Sequence, residues 1–218
     1  MTQDAEHGQL LDRIYRYQRY IYDASRKYYL LGRDRLLQEL RPEPGAAVLE
    51  VGCGTARNLI KLARQQPSLQ LYGLDASTQM LQTADLKLQQ WGLQSRVVLR
   101  HAYAERFTAQ ATFGRDQPFD AIFFSYALSM IPPWQAAMEN ALANLKPGGW
   151  IYIVDFSDQR GLPRSFKWVL ERWLALFHVR HDPALLAYLQ QLGPEQVQRV
   201  QITPLYRHYA FLAAVQKR

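Results

Sequence analysis

Cysteine is almost missing from this chain: Cys53 is the only one in 218 residues. An intrachain disulfide framework is excluded, and a reducing compartment is the expected setting. No run approaches the roughly 18 consecutive apolar residues of a membrane-spanning helix, and no charged-then-apolar leader of the secretory kind opens the chain. We therefore expect a cytoplasmic protein. Acidic residues are outnumbered, 19 Asp and Glu against 26 Lys and Arg, so the formal charge is +7 and the pI about 9.6. That balance favours an anionic partner, either nucleic acid or an acidic membrane surface. Internal repeats, low-complexity tracts and a second domain are also missing, and the length suits one substantial α/β core. What is plentiful is aromatic surface, with 13 Tyr and 5 Trp.

Hydrophobic periodicity supplies the organisation. Ile14, Tyr17, Ile21, Ala24, Tyr28 and Leu31 recur at three- and four-residue intervals and predict a helix over residues 10–40. Its opposite face carries Arg13, Arg16, Arg19, Arg26 and Arg33, and Pro42, Pro44 and Gly45 close it. Strands are expected at Val48–Val51, Leu69–Leu74, Val97–Arg100, Phe119–Ser125 and Trp150–Val154. Helices are expected between them at Ala56–Gln65, from a Ser77 N-cap to Trp91-Gly92, and at Pro133–Leu145. This alternation demands a parallel sheet with helices on both faces. The tail reads as helix over Leu162–Tyr188, broken at Pro183, and then as a hairpin of Val197–Thr203 and Arg207–Val215 separated by Pro204.

The richest stretch is Val48-Leu49-Glu50-Val51-Gly52-Cys53-Gly54-Thr55-Ala56-Arg57-Asn58, an apolar strand running into a glycine turn and a helix start. Glycines there let backbone approach a ligand where a Cβ would collide. Asp75 follows about twenty residues later, at the end of the next strand, where a carboxylate suits a ribose diol. A nucleoside-bearing cofactor is implied. The third glycine of the dinucleotide pattern is absent, its place taken by Arg57. Glu50 is also a poor neighbour for a pyrophosphate and a tolerable one for a cationic amino-acid ligand.

With Phe119-Asp120-Ala121-Ile122-Phe123-Phe124 and Leu145-Lys146-Pro147-Gly148-Gly149 added, the chain resembles the class I S-adenosylmethionine-dependent methyltransferases over residues 46–155. The resemblance implies a Rossmann-like α/β fold, a seven-stranded sheet with its last strand antiparallel, preceded by an N-terminal helical segment. Residues 1–44 would be a cap over substrate and cofactor, and residues 45–218 the methyltransferase domain. S-adenosylmethionine would be the cofactor and S-adenosylhomocysteine the product, with no metal. Gly52 and Gly54 would face the methionine moiety, Asp75 the ribose and Met80 the adenine. Cys53, Ala76, Ala102, Ser125, Tyr29, Arg33 and Glu50 complete the expected cofactor set. His101 stands in Arg100-His101-Ala102, where the family usually has Gly-Asp-Ala and an acid that touches the adenine amino group.

Two further runs are more specific. Tyr22-Asp23-Ala24-Ser25-Arg26-Lys27-Tyr28-Tyr29 leads into Leu30-Leu31-Gly32-Arg33-Asp34-Arg35-Leu36-Leu37, and this resembles the N-terminal helix of the bacterial betaine-lipid N-methyltransferases, often called BtaB. Ser125-Tyr126-Ala127-Leu128-Ser129-Met130-Ile131-Pro132 and Tyr206-Arg207-His208-Tyr209 fit the same family. The resemblance implies three methyl transfers to the homoserine nitrogen of diacylglyceryl-homoserine, downstream of an aminocarboxypropyltransferase that would supply that lipid. Aromatic faces suit methylammonium groups, so Tyr22, Tyr28, Tyr29 and Tyr126 are candidate walls of the amine site, although Tyr28 also fits the apolar stripe of its helix. Tyr126 follows the fourth strand, at the carboxyl edge where such sheets bind ligands, and is the candidate to orient the amine or relay its proton. His101, His208, Asp155 and bulk water are alternative proton acceptors. Tyr206 and Arg207 would border the site, with Arg207, Arg26 or Arg33 pairing with a carboxylate.

Phe166, Val169, Leu170, Trp173, Leu174 and Phe177 share one helix face, ringed by Arg164, Lys167, Arg172 and Arg180. That pattern fits an interfacial helix at the inner face of the membrane, and equally a helix packed on the sheet. Other readings remain in play: a phosphatidylethanolamine or phospholipid N-methyltransferase, or a non-catalytic S-adenosylmethionine-binding membrane adaptor. A nucleic-acid methyltransferase is disfavoured. Its Pro-Pro-aromatic motif would directly follow the fourth strand, whereas here Pro132-Pro133-Trp134 comes later and opens a helix.

Overall fold

A computed structural model describes residues 29–161, 172 and 183–218. Most of the expected N-terminal helix, most of the amphipathic 162–182 stretch, and Tyr22, Arg26 and Tyr28 lie outside the described residues. In chain order the elements are α1 (Arg33–Glu39), β1 (Ala47–Val51), α2 (Arg57–Gln65), β2 (Gln70–Asp75), α3 (Thr78–Gln90), β3 (Val97–His101) and α4 (Ala109–Phe113). They continue with β4 (Phe119–Ser125), a 3₁₀ turn (Leu128–Met130), α5 (Trp134–Ala143), β5 (Leu145–Phe156), α6 (Pro183–Gln191), β6 (Val197–Leu205) and β7 (Ala210–Lys217).

The strands form one seven-stranded sheet in the order β3-β2-β1-β4-β5-β7-β6. Every neighbouring pair is parallel as far as β5, and β7 runs antiparallel to both β5 and β6. All five residues of β1 are buried, as a central strand covered on both faces requires. Alternation divides the core in two. Val48, Phe123 and Val154 point into one apolar cluster, with Leu59 and Leu62 of α2 and Leu36 and Leu37 of α1. Leu49, Val51, Ile122, Phe124, Ile151 and Ile153 point into the other, with Trp134 and Met138 of α5. Because the chain leaves β1 towards β2 and returns to β1's other side as β4, a crevice opens at the carboxyl ends of β1, β2 and β4.

The structure departs from the sequence reading in several places. The helix expected over residues 10–40 is interrupted within the described residues, because Gly32 turns the chain with φ 90° and α1 starts only at Arg33. β5 begins at Leu145, not Trp150; the Lys146–Gly149 stretch is absorbed through an irregular register opposite Phe119 and Ala121. Pro204 does not separate the hairpin strands but lies within β6, opposite Phe211. An edge strand can take a proline because its outward N–H has no ladder partner to lose. The reversal is made by Tyr206, Arg207 and His208, whose φ angles of 49, 56 and 63° are all left-handed. α4 was not foreseen; five residues are too few for a periodic signal.

Candidate functional site

A cavity of about 460 Å³ fills the crevice. Its floor is the turn after β1. Gly52 and Gly54 take φ of 72° and 53°, and the Gly52 and Cys53 amides both donate to the Leu74 carbonyl at 2.9 Å. A Cβ on Gly52 would lie 2.7 Å from the Ala127 Cβ, so this approach excludes a side chain. Asp75, closing β2, ties the turn to the next helix: its carboxylate accepts from the Gly54 amide at 2.7 Å and the Ser77 amide at 2.9 Å. The carboxylate lines the cavity, where acceptor oxygens suit a ribose hydroxyl. Ser77 caps α3 by accepting from the Met80 amide, which holds the Met80 side chain, 3% exposed, in the cavity wall.

Glu50 is the anomalous charge. It is buried, and one carboxylate oxygen accepts from Asn58 Nδ2 at 2.7 Å. The other, Oε2, is buried with no hydrogen-bond partner among the described residues. Loss of water, only partly offset by Asn58 and by the positive charge of Arg33, lifts its pKa to about 8. An orphaned buried acceptor in a ligand-sized cavity is the complement of an ammonium group. Amino-acid ammonium at Glu50, ribose at Asp75 and purine beside Met80 and Ala102 together fit S-adenosylmethionine. Burial pushes the Cys53 thiol well up and keeps it protonated, so it packs rather than reacts.

Arg33, Glu50, Gly52, Cys53, Gly54, Asp75, Ala76, Met80, Ala102, Ser125 and Tyr126 line the cavity together. Tyr29, expected in the cofactor set, is buried outside the lining, its carbonyl accepting from the Tyr209 hydroxyl at 2.7 Å. His101 is exposed outside the lining, with Nε2 3.0 Å from the Ala76 carbonyl and its ring edge-on to Tyr103. Tyr206, Arg207 and His208 sit in the β6–β7 turn, also outside the lining, where His208 Nδ1 is 4.0 Å from Asp158. Asp155 is buried at the end of β5 and holds the 3₁₀ turn by accepting from the Ser129 amide at 3.0 Å; its pKa is raised to about 6 by desolvation. Sequence reasoning missed Leu30, Thr55, Arg57, Asn58, Leu74, Tyr103, Ala104, Glu105, Ala127 and the Met130–Pro133 rim. Arg57 and Asn58 stood in the glycine motif itself, and the Arg57 that breaks the dinucleotide pattern pairs with Asp34 at 2.7 Å.

Residues 17–197 match the family described as "Methyltransferase domain". The chain belongs to this family. The methyltransferase is similar to demethylmenaquinone methyltransferases of Geobacillus sp. (strain WCH70), 29% identical over 68% of this chain and 62% of the relative, and of Lactiplantibacillus plantarum, 26% identical over 87% and 82%. In the first three such relatives the matched stretch spans only 62, 56 and 54% of the relative's length. Among solved structures it is similar to the S-adenosylmethionine-dependent methyltransferase SibL, with a TM-score of 0.67 at 22% identity over 90% of this chain and 57% of that one. A methyltransferase of Aquifex aeolicus gives 0.63 at 19% identity over the whole of both chains. At such identities the structures establish the fold alone, the Rossmann-like fold of S-adenosylmethionine-dependent methyltransferases. Family and fold together make this chain a methyltransferase-domain protein with the fold that S-adenosylmethionine-dependent enzymes such as SibL use.

Proposed function

We propose that the methyltransferase acts on the amine of a lipid headgroup, trimethylating the homoserine nitrogen of diacylglyceryl-homoserine. One observation carries the reading. The Tyr29–Asp34 run, within the segment whose sequence resembles the betaine-lipid N-methyltransferases, contributes Leu30 and Arg33 to the cavity wall. The opposite rim is apolar, with Ala127, Met130, Ile131, Pro132 and Pro133, and suits the glyceride portion of an amphiphile better than a free amino acid. Tyr103 and Tyr126 are among the lining residues, and aromatic rings suit a methylated nitrogen.

The cofactor supplies an electrophilic methyl group on a sulfonium. The chain's task is alignment of the amine with that carbon and exclusion of water. The nitrogen must shed a proton before each of the three transfers. His101, His208 and Asp155 all lie outside the cavity lining, and in this reading water at the rim takes the proton.

A second reading is favoured by the curated relatives, which are named for a demethylated menaquinone. The apolar rim would equally admit a demethylated menaquinone. Lipid mass spectrometry separates the two. Expression in a host that makes the unmethylated homoserine lipid is expected to yield its mono-, di- and trimethyl forms. Unchanged homoserine lipid with methylated quinone would overturn the proposal, and methylated phosphatidylethanolamine would redirect it to a phospholipid N-methyltransferase.

A further inference from the structure

The chain enters the described structure as a strap, Tyr29–Arg33, that crosses the carboxyl edge of the sheet and becomes part of the cavity wall. Two buried tyrosines meet it from below. The Tyr126 hydroxyl donates to the Leu31 carbonyl, and the Tyr209 hydroxyl donates to the Tyr29 carbonyl. Their rings stand either side of Phe156, edge-on, with centroids 4.6 and 5.9 Å from it. Tyr126 holds this pose with a left-handed φ of 56°, a conformation that a bulky residue adopts only when its surroundings impose it. The strap turns at Gly32, φ 90°, so close to the sheet that a Cβ there would lie 2.8 Å from Leu205 Cδ1 and 3.2 Å from Val154 Cγ2. Just beyond, Asp34 is clamped by Arg57 at 2.7 Å and Lys61 at 2.9 Å, both on α2.

We propose that Tyr126 and Tyr209 are positioning residues, which hold the strap closed over the cofactor through their hydroxyl-to-carbonyl hydrogen bonds, with Asp34 latching its far end to α2. The Tyr126 hydroxyl proton is thereby committed to a backbone carbonyl instead of the reacting amine. Burial raises the Tyr126 and Tyr209 pKa values, so both hydroxyls stay protonated donors. The inference rests on cofactor binding and is independent of which acceptor is methylated.

The test uses S-adenosylhomocysteine as probe. Tyr126→Phe keeps the ring and deletes the donor. Weaker binding is expected by calorimetry, with Kd raised roughly three- to thirty-fold as the binding-competent strap is depopulated. Amide hydrogen exchange is expected to rise across Tyr29–Asp34 and not in β1 or β4. Where the acceptor is known, the pH profile of kcat keeps its shape. Tyr209→Phe and Asp34→Asn, the latter a half-exposed residue, are expected to raise Kd and exchange in the same segment, and they carry the test if Tyr126→Phe does not fold. Unchanged affinity and exchange in these variants overturns the proposal. So does a Tyr126→Phe enzyme of normal affinity whose kcat profile shifts, because that is the mark of a proton relay.

Discussion

Glu50 carries a proton in the cofactor-free protein at neutral pH, and two measurable consequences follow. An acid whose folded pKa, about 8, stands above its ordinary 4.5 stabilises the fold fully below the lower value, and that stability drains away as pH rises through the higher one. The cofactor-free protein is therefore expected to lose thermal stability between about pH 5 and pH 8, and Glu50→Gln to flatten that slope. Binding inverts the preference, because an ammonium beside Oε2 favours the carboxylate. S-adenosylhomocysteine is then expected to release a proton on binding near neutral pH, seen as a heat that varies with the buffer's ionisation enthalpy. Glu50→Gln is expected to abolish that variation and weaken binding by a factor on the order of ten to a hundred. A buffer-independent heat in the unsubstituted protein would remove Glu50 from the ammonium site. At this scale Glu50, Gly52, Gly54 and Asp75 were legible because strand, turn and acid are contiguous in sequence or separated by one helix. The bond from Tyr126 to Leu31 spans 95 residues, and only the folded sheet brings its ends together.

The turn between β1 and α2 owes its shape to two separable requirements, a left-handed backbone and space above it. Gly52 needs both, with φ 72° and the Ala127 Cβ 2.7 Å from any added carbon. Gly114, which ends α4 at φ 67°, needs only the first, since nothing lies within 4 Å of a Cβ there. Alanine at Gly114 is expected to cost about 1 kcal/mol in urea unfolding. Alanine at Gly52 adds a backbone displacement to that conformational cost, about 2–3 kcal/mol altogether, and is expected to remove S-adenosylhomocysteine binding. Equal losses at the two sites would show that the close approach to Ala127 is unimportant. Elements were read most securely where pattern and boundary chemistry agreed, as at Ser77, which caps α3 as expected. They were misread where tertiary pairing overrode a local breaker. Pro204 stays in β6 because that strand is the sheet's edge, and the Lys146–Gly149 stretch joins β5 because a bulge absorbs its irregularity.

Viewed whole, the protein has a large positive charge and a cavity whose rim is apolar, and no helix among the described residues is long and apolar enough to cross a membrane. If the acceptor is a lipid, as proposed, the expected route to it is adsorption to the bilayer, with charge attraction drawing the protein to an anionic surface and apolar contact holding the substrate at the rim. The two contributions respond differently to salt. Attraction between exposed charges is screened over about 10 Å at 0.1 M salt and over about 3 Å at 1 M, whereas apolar contact is not weakened. Flotation with vesicles containing roughly one-third anionic lipid is expected at low ionic strength, where each basic residue near the surface contributes about 1 kcal/mol. Release is expected as salt rises towards about 1 M, and little binding to purely zwitterionic vesicles at any salt. Salt-resistant flotation would instead mean that inserted apolar side chains dominate. No flotation on either vesicle would remove adsorption as the route to substrate and leave lipid delivery to a carrier or to the preceding enzyme.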